Sequence, residues 1–258
     1  MKLCHITPIP LLDDCLDERQ TTHLVVAELI ATDIQYAGWY TDALRRGDFV
    51  ILDSAAFELG KANPELMVRT ALDFNPSEVV LPDDMSSYQR TIEMSSEAAA
   101  SLIAGGYTGQ MMAVPHGTNL EEYLYCAAEL MLIPGVTTLG IQEEVEDLFS
   151  IKRSSLARTL RQEYDSEIHF LGFLDDLSDI KDPIAQEVVR TADSAKLVVW
   201  GLNGTAVFPD STVPEYPGRA SVGGRMDYFD YAVSREIHVV RWNINAWDHF
   251  MAGGTREG

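Results

Sequence analysis

Eight short apolar runs, separated by segments with helical spacing, limit what this 258-residue chain can fold into. They are "LCHITP" (3–8), "HLVVAELI" (23–30), "FVILD" (49–53), "EVVLPD" (78–83), "QMMAVPH" (110–116), "TTLGIQ" (137–142), "IHFLGF" (168–173) and "VVRTAD" (188–193). Each is almost unbroken hydrocarbon, the pattern of parallel strands covered on both faces. Between them, "NPELMVRTALDF" offers Asn63 as a helix N-cap and Pro64 at the first helical position. "SYQRTIEMSSEAAASLIAGG" stops on a glycine pair. Eight strands alternating with helices predict an α/β fold, a (β/α)8 TIM barrel. One domain is expected over 1–258, with the barrel at about 1–204 and an irregular C-terminal extension at about 205–258. An open doubly wound sheet is the competing architecture, but no Gly-x-Gly-x-x-Gly follows an early strand. In the extension, "FPDSTVPEYPGRASVGGRMDYFD" reads as a long loop, and "EIHVVRWNINAWDHF" as a helix returning to the barrel.

The apolar runs keep ending on polar residues. Asp53 ends the third, Asp83 and Asp84 the fourth, His116 the fifth, Gln142 the sixth and Asp193 the eighth. In a barrel these are carboxyl ends of strands, the face on which barrel enzymes build their sites. A single Asp there reads as a helix cap; a converging set suggests a site. Several carboxylates and an imidazole allow two chemistries. One is an all-carboxylate magnesium site, the basis of a metal-dependent hydrolase. The other is substitution at a sugar carbon, where one carboxylate attacks an oxocarbenium-like centre and another moves protons. Ser54, Ala55 and Ala56 leave a slot beside Asp53, and Phe57 offers a stacking face. His5, His169 and His238, and Trp200, Trp242 and Trp247, read as structural. Glu58 and Glu143 follow site strands and read equally as orienting or solvated groups.

Composition narrows the setting. No run approaches the roughly 18 apolar residues of a membrane span, and the acidic N-terminal stretch is unlike a secretion signal. The scattered Cys4, Cys15 and Cys126 fit a reducing cytoplasm. A net charge of −21 argues against phosphate binding unless Lys and Arg are locally concentrated.

The motifs in order resemble those of the tRNA-guanine transglycosylases. "DSAAFELG" resembles their Asp-Ser-Gly-Gly-Phe/Tyr-Gln motif, and "VVLPDDM" the strand ending in a base-recognising Asp. "AVPHGTNLEEYLYCAAEL" resembles their Val-Gln-Gly-Gly segment, "TLGIQEE" their Gly-Gly-Leu strand, and "IHFLGFLDDLSDI" their Leu-Met-Gly-Val-Gly strand. "VVRTADSAKLVVWG" is similar to the strand with the nucleophilic Asp. The resemblance spans about residues 49–204 and is nearest to the phage-encoded, DpdA-like members that act on DNA. It implies Asp53 as general acid/base and Asp193 as the nucleophile at C1′. It implies base contacts from Ser54, Phe57, Asp83 (with Asp84 the near alternative), His116, Gly140, Ile141 and Leu171. The implied reaction replaces guanine in DNA by a 7-deazaguanine such as preQ0, without a cofactor. A tRNA substrate, or a catalytically silent barrel binding a deazapurine or a partner, are the alternatives.

Alanines stand for the paired glycines, His116 for a Gln and Ile141 for a Gly, which alters the base contacts. The family's three-cysteine, one-histidine zinc motif is absent, so no structural zinc is expected. For gripping nucleic acid the candidates are Arg45 and Arg46, the run Lys152, Arg153, Arg158 and Arg161, which reads at least as well as a solvated helix face, and foremost Arg219 and Arg225 in the glycine-rich loop. A homodimer or a basic partner protein is a further source of grip. The target guanine must leave its stack, so single-stranded or flipped DNA is the expected substrate.

Overall fold

Eight parallel strands alternating with helices form a nearly closed (β/α)8 barrel in the computed structural model, which describes residues 1–54, 63–215, 221–222, 225–226 and 236–253. The strands are β1 (Lys2–His5), β2 (Thr22–Val26), β3 (Phe49–Asp53), β4 (Glu78–Val80), β5 (Gln110–Ala113), β6 (Val136–Gln142), β7 (Glu167–Leu171) and β8 (Thr191–Ser194). They pair in the order β1-β8-β7-β6-β5-β4-β3-β2. The principal outer helices are α1 (Ile34–Arg46), α2 (Pro64–Phe74), α3 (Tyr88–Ala104), α4 (Leu120–Met131), α5 (Arg153–Tyr164), α6 (Pro183–Val188), α7 (Lys196–Leu202) and α8 (Ile237–Met251). Among the described residues no helix is long and apolar enough to cross a membrane.

Local chemistry sets the helix starts. Asn63 accepts from the Leu66 amide at 3.2 Å with Pro64 behind it, Ser87 accepts from Arg90, and Asn119 accepts from Glu122 while Glu122 reaches back to the Thr118 amide at 2.8 Å. The glycine pair after α3 ends it, with Gly106 in the left-handed region at φ +85°.

Two strands are shorter than their apolar runs. β2 stops at Val26, where the β-branched pair ends, and the helix formers Ala27–Thr32 wind into a short helix. Val188 closes α6, which Asp182 caps through the Ile184 amide, so β8 begins only at Thr191. β4 and β5 end at Val80 and Ala113, before Pro82 and Pro115, which have no N–H for a ladder. Asp83 and His116 therefore stand on loops just beyond the strand ends.

Alternation sends every second side chain inward. At the amino end of the barrel, the buried Glu78 accepts from Thr138 at 2.5 Å and pairs with Arg190, whose guanidinium lies 5.0 Å from the Phe49 ring centroid. This paired, hydrogen-bonded plug closes that end, and the carboxyl ends of the strands remain for a site.

The C-terminal α8 covers β1, which is followed only by short helical turns at Ile9–Leu11 and Leu12–Cys15. Its contact with α7 needs a glycine: a Cβ on Gly201 would lie 2.5 Å from the Val240 Cα. Asn243 is fully buried, accepting from the Val207 amide and donating to the carbonyls of Leu197 and Thr205. Trp200 and Trp247 pack in the core as expected, but Trp242 is partly exposed, edge-on to Phe208 at 4.1 Å.

His23 on β2 is buried between Trp39 and Tyr40 with its Nε2 3.3 Å from Asp48, and burial pulls its pKa down to about 4. Its folded pKa lies below the unfolded value of about 6.5, so the unfolded chain binds more protons between them. Stability therefore falls as pH drops through this window, by about 2 kcal/mol between pH 7 and pH 5. Urea denaturation of wild type and His23→Asn at the two pH values checks this; an equal pH loss in both proteins contradicts it.

Candidate active site

Asp53, the last residue of β3, and Asp193, on β8, line one cavity at the carboxyl mouth of the barrel, together with Asp83 from the loop after β4. Ser54, His116 and Leu171 line it too, and Gln142 and Glu143 at the end of β6 complete one wall. The cavity measures about 120 Å3.

Asp193 is buried and held from one side. His169 Nε2 lies 3.0 Å from its Oδ1, and the Gly172 amide donates to the same oxygen at 3.4 Å. Thr191 Oγ1 is 2.7 Å from His169 Nδ1 and fixes the ring. Both hydrogen bonds of the carboxylate fall on Oδ1, so Oδ2 is left for the cavity. His169 is fully buried and hydrogen-bonded, as expected of a structural histidine, and one of its partners is the cavity carboxylate Asp193. The sequence signal for that contact is its period-two relation to Leu171 on the same strand.

Asp83 and His116 are joined. His116 Nε2 stands 2.5 Å from Asp83 Oδ2, and Gln142 Nε2 lies 3.1 Å from His116 Nδ1 and donates to the Pro115 carbonyl at 2.8 Å. Because the amide nitrogen is a donor, the neutral ring in this arrangement carries its proton on Nε2, toward Asp83. Asp84 turns away: its Oδ1 accepts from the amide and hydroxyl of Ser86, which holds its carboxyl below the usual range. Asp84 is a turn residue and does not line the cavity.

Gly140 and Ile141 do not line it either. Gly140 faces the barrel interior below the cavity, where a Cβ would crowd Leu171 and Val114 at 3.1 Å. It makes room for Leu171 rather than presenting backbone to a ligand. Ile141 points outward into the core, and its carbonyl accepts from Arg153 Nη2. Phe57, Ala55, Ala56, Glu58 and Arg219 lie outside the described residues. Arg225 sits on β10 (Arg225–Met226), paired antiparallel with β9 (Ser221–Val222).

Arg153 corrects the reading of a basic run at 152–161. It is fully buried, bonded to Asp179 at 2.9 Å, and donates to the carbonyls of Ile141, Leu171 and Gly172. Of the other arginines proposed for grip, four keep exposed side chains beside acids: Arg45 by Asp42 and Arg46 by Asp48, each at 2.9 Å, Arg161 by Glu167 at 3.6 Å and Arg158 by Glu187 at 3.9 Å. Sequence polarity gives no hint of the Arg153 burial, because its partners come from β6, β7 and the turn at Ser178–Lys181.

No protein-family model and no curated protein matches this chain. What the cavity can do follows from its side chains. Burial raises the Glu143 carboxyl, and the Lys196 ammonium, 2.9 Å away, partly offsets the rise. Lys196 is itself buried and also meets Asp175 and the Phe173 carbonyl. Among the described residues no group of three or more His, Cys, Asp or Glu is placed to hold a metal ion. The buried Cys4, Cys15 and Cys126 are unbridged.

Proposed function

We propose that the chain is a base-exchange glycosyl transferase that replaces guanine in DNA with a 7-deazaguanine such as preQ0. The observation that carries the reading is the meeting of Asp53, Asp83 and Asp193, far apart in sequence, around one cavity. The order of the sequence motifs supports it.

In the first half-reaction, Asp193 Oδ2 attacks C1′ and the C1′–N9 bond breaks. Asp53 gives its proton to the departing guanine, so a neutral base leaves and an aspartyl ester of the sugar remains. In the second, the now ionised Asp53 takes the N9 proton of the deazaguanine. N9 attacks C1′, the ester C–O bond breaks and the Asp193 carboxylate is regenerated. No redox partner or nucleoside triphosphate is consumed. His169 and the Gly172 amide fix Oδ1, which directs the other oxygen toward the reacting carbon. The Asp83–His116 pair, backed by Gln142, forms the wall that would meet the base edge.

Incubating the protein with preQ0 and either single-stranded DNA or tRNA, then digesting to nucleosides for mass spectrometry, tests this. Deazaguanosine in the DNA arm is expected. Product only in the tRNA arm moves the substrate to tRNA, and unchanged nucleosides in both overturn the proposal.

A further inference from the structure

Around the barrel every neighbouring strand pair is joined by a backbone ladder except β1–β2, among the described residues. The two strands lie side by side at this seam. What spans it is a side chain on α8. Asp248 Oδ1 meets Nε2 of His5, the last residue of β1, and Asp248 Oδ2 accepts from Nε2 of Gln20, two residues before β2, each at 2.8 Å. Gln20 is fixed in turn by the Asp17 amide, which donates to its Oε1 at 2.8 Å. His5 and Gln20 are buried. His5 Nδ1 has no partner among the described residues, so the neutral ring carries its proton on Nε2 and donates it to Asp248.

The seam borders two spaces. Outside it lies a groove of about 340 Å3, lined by Lys2, Leu3, Thr21, Thr22, Asp248 and Met251. Inside it, Ile6, which follows β1, and Leu24 of β2 both line the central cavity. Cys4 is in register with Asp193 and is fully buried; as the neighbour of the outward-facing His5, it points into the barrel. The helix that carries Asp248 has anchors of its own. Val240 packs on Gly201, Asn243 bonds the Leu197 and Thr205 carbonyls, and Arg241 donates to the Asp14 carbonyl.

We propose that Asp248 is a strap across the β1–β2 seam, and that its release lets the two edges part and widens the central cavity between Ile6 and Leu24. Opening at this seam breaks no ladder hydrogen bond, and the outer groove gives the strand ends room to move. The inference stands apart from the base-exchange reading, and its test needs no substrate.

Cys4 serves as the reporter, and Cys126, buried on α4 away from the seam, as the reference. Wild type, Asp248→Ala and Asp248→Asn are exposed to N-ethylmaleimide under native conditions, and each cysteine is followed by peptide mass spectrometry. Asp248→Ala loses both bonds of the strap. Its Cys4 should label about tenfold faster than in wild type or more, while Cys126 keeps its rate. Asp248→Asn can keep the bridge, because its amide oxygen accepts from Gln20 and its NH2 donates to His5 once the ring moves its proton to Nδ1. Its Cys4 should label at close to the wild-type rate. Hydrogen exchange of the full chain should quicken in β1 and β2 of Asp248→Ala and stay unchanged in β5 and β6. An unchanged Cys4 rate in Asp248→Ala overturns the proposal. So does equal acceleration of Cys4 and Cys126, or faster exchange across all eight strands, since either marks a generally loosened fold.

Discussion

Asp193→Asn is expected to fold normally and to lose base exchange by a factor on the order of 10^4 or more. The amide keeps the shape of the carboxylate, and its oxygen can still accept from His169 Nε2 and the Gly172 amide where Asp193 Oδ1 does now. What disappears is the anionic oxygen that, in the proposed mechanism, attacks C1′. Loss of a nucleophile removes the covalent route altogether, whereas loss of a positioning group leaves it slower. His169 is such a group: it touches Asp193 and Thr191. His169→Gln should therefore lower the rate by a smaller factor, about 10- to 100-fold. Initial rates of deazaguanine incorporation, with circular dichroism melting to verify the fold, check both. Exchange by Asp193→Asn at the wild-type rate would remove Asp193 from the chemistry.

Arg153→Met is expected to cost about 3–5 kcal/mol of stability. The guanidinium is fully buried, its charge opposed by Asp179 at 2.9 Å, and it donates to three carbonyls at the ends of β6 and β7. Removing it leaves a buried carboxylate without its counter-charge and strips donors from Ile141, Leu171 and Gly172. Asp179 keeps only the amides of Leu174 and Ile180. The double variant Arg153→Met/Asp179→Leu should recover a large part of the loss, because it deletes both charges. Urea denaturation of the two variants measures this; a single-variant loss below about 1 kcal/mol would show that the pair is not a keystone of these strand ends. The same residue matters to the cavity, since Leu171 and Gly172 line it.

The barrel was legible because both faces of each strand are covered, and that leaves unbroken hydrocarbon in the sequence. The strand ends were less so. "HLVVAELI" reads as one mostly apolar run, yet the chain turns after Val26, and only the change from the β-branched pair to Ala, Glu and Leu records it. Asp53 and Asp193 could be placed at the mouth because each closes or nearly closes its strand on an inward position. The neighbours Asp83 and Asp84 show the limit. Adjacent carboxylates diverge, one to His116 and the cavity, the other to Ser86 and its turn. Nothing in local sequence decides between them. The partner of His169, the place of Lys196 and the burial of Arg153 were not legible for one reason: each finds its partners on other strands or loops, 24, 53 and 26 residues away for Asp193, Glu143 and Asp179. Gly140 shows the converse, because its small size serves Leu171 and Val114 rather than a ligand.

The central claim is that Asp193 carries a sugar on its free oxygen during the reaction. Intact-protein mass spectrometry after incubation with a guanine-containing oligonucleotide, with no incoming base, tests it most directly. The predicted result is a protein heavier by the oligonucleotide less guanine, with the adduct mapped to Asp193 and discharged by preQ0. An unshifted protein mass while exchange still proceeds, or an adduct on another residue, would contradict it.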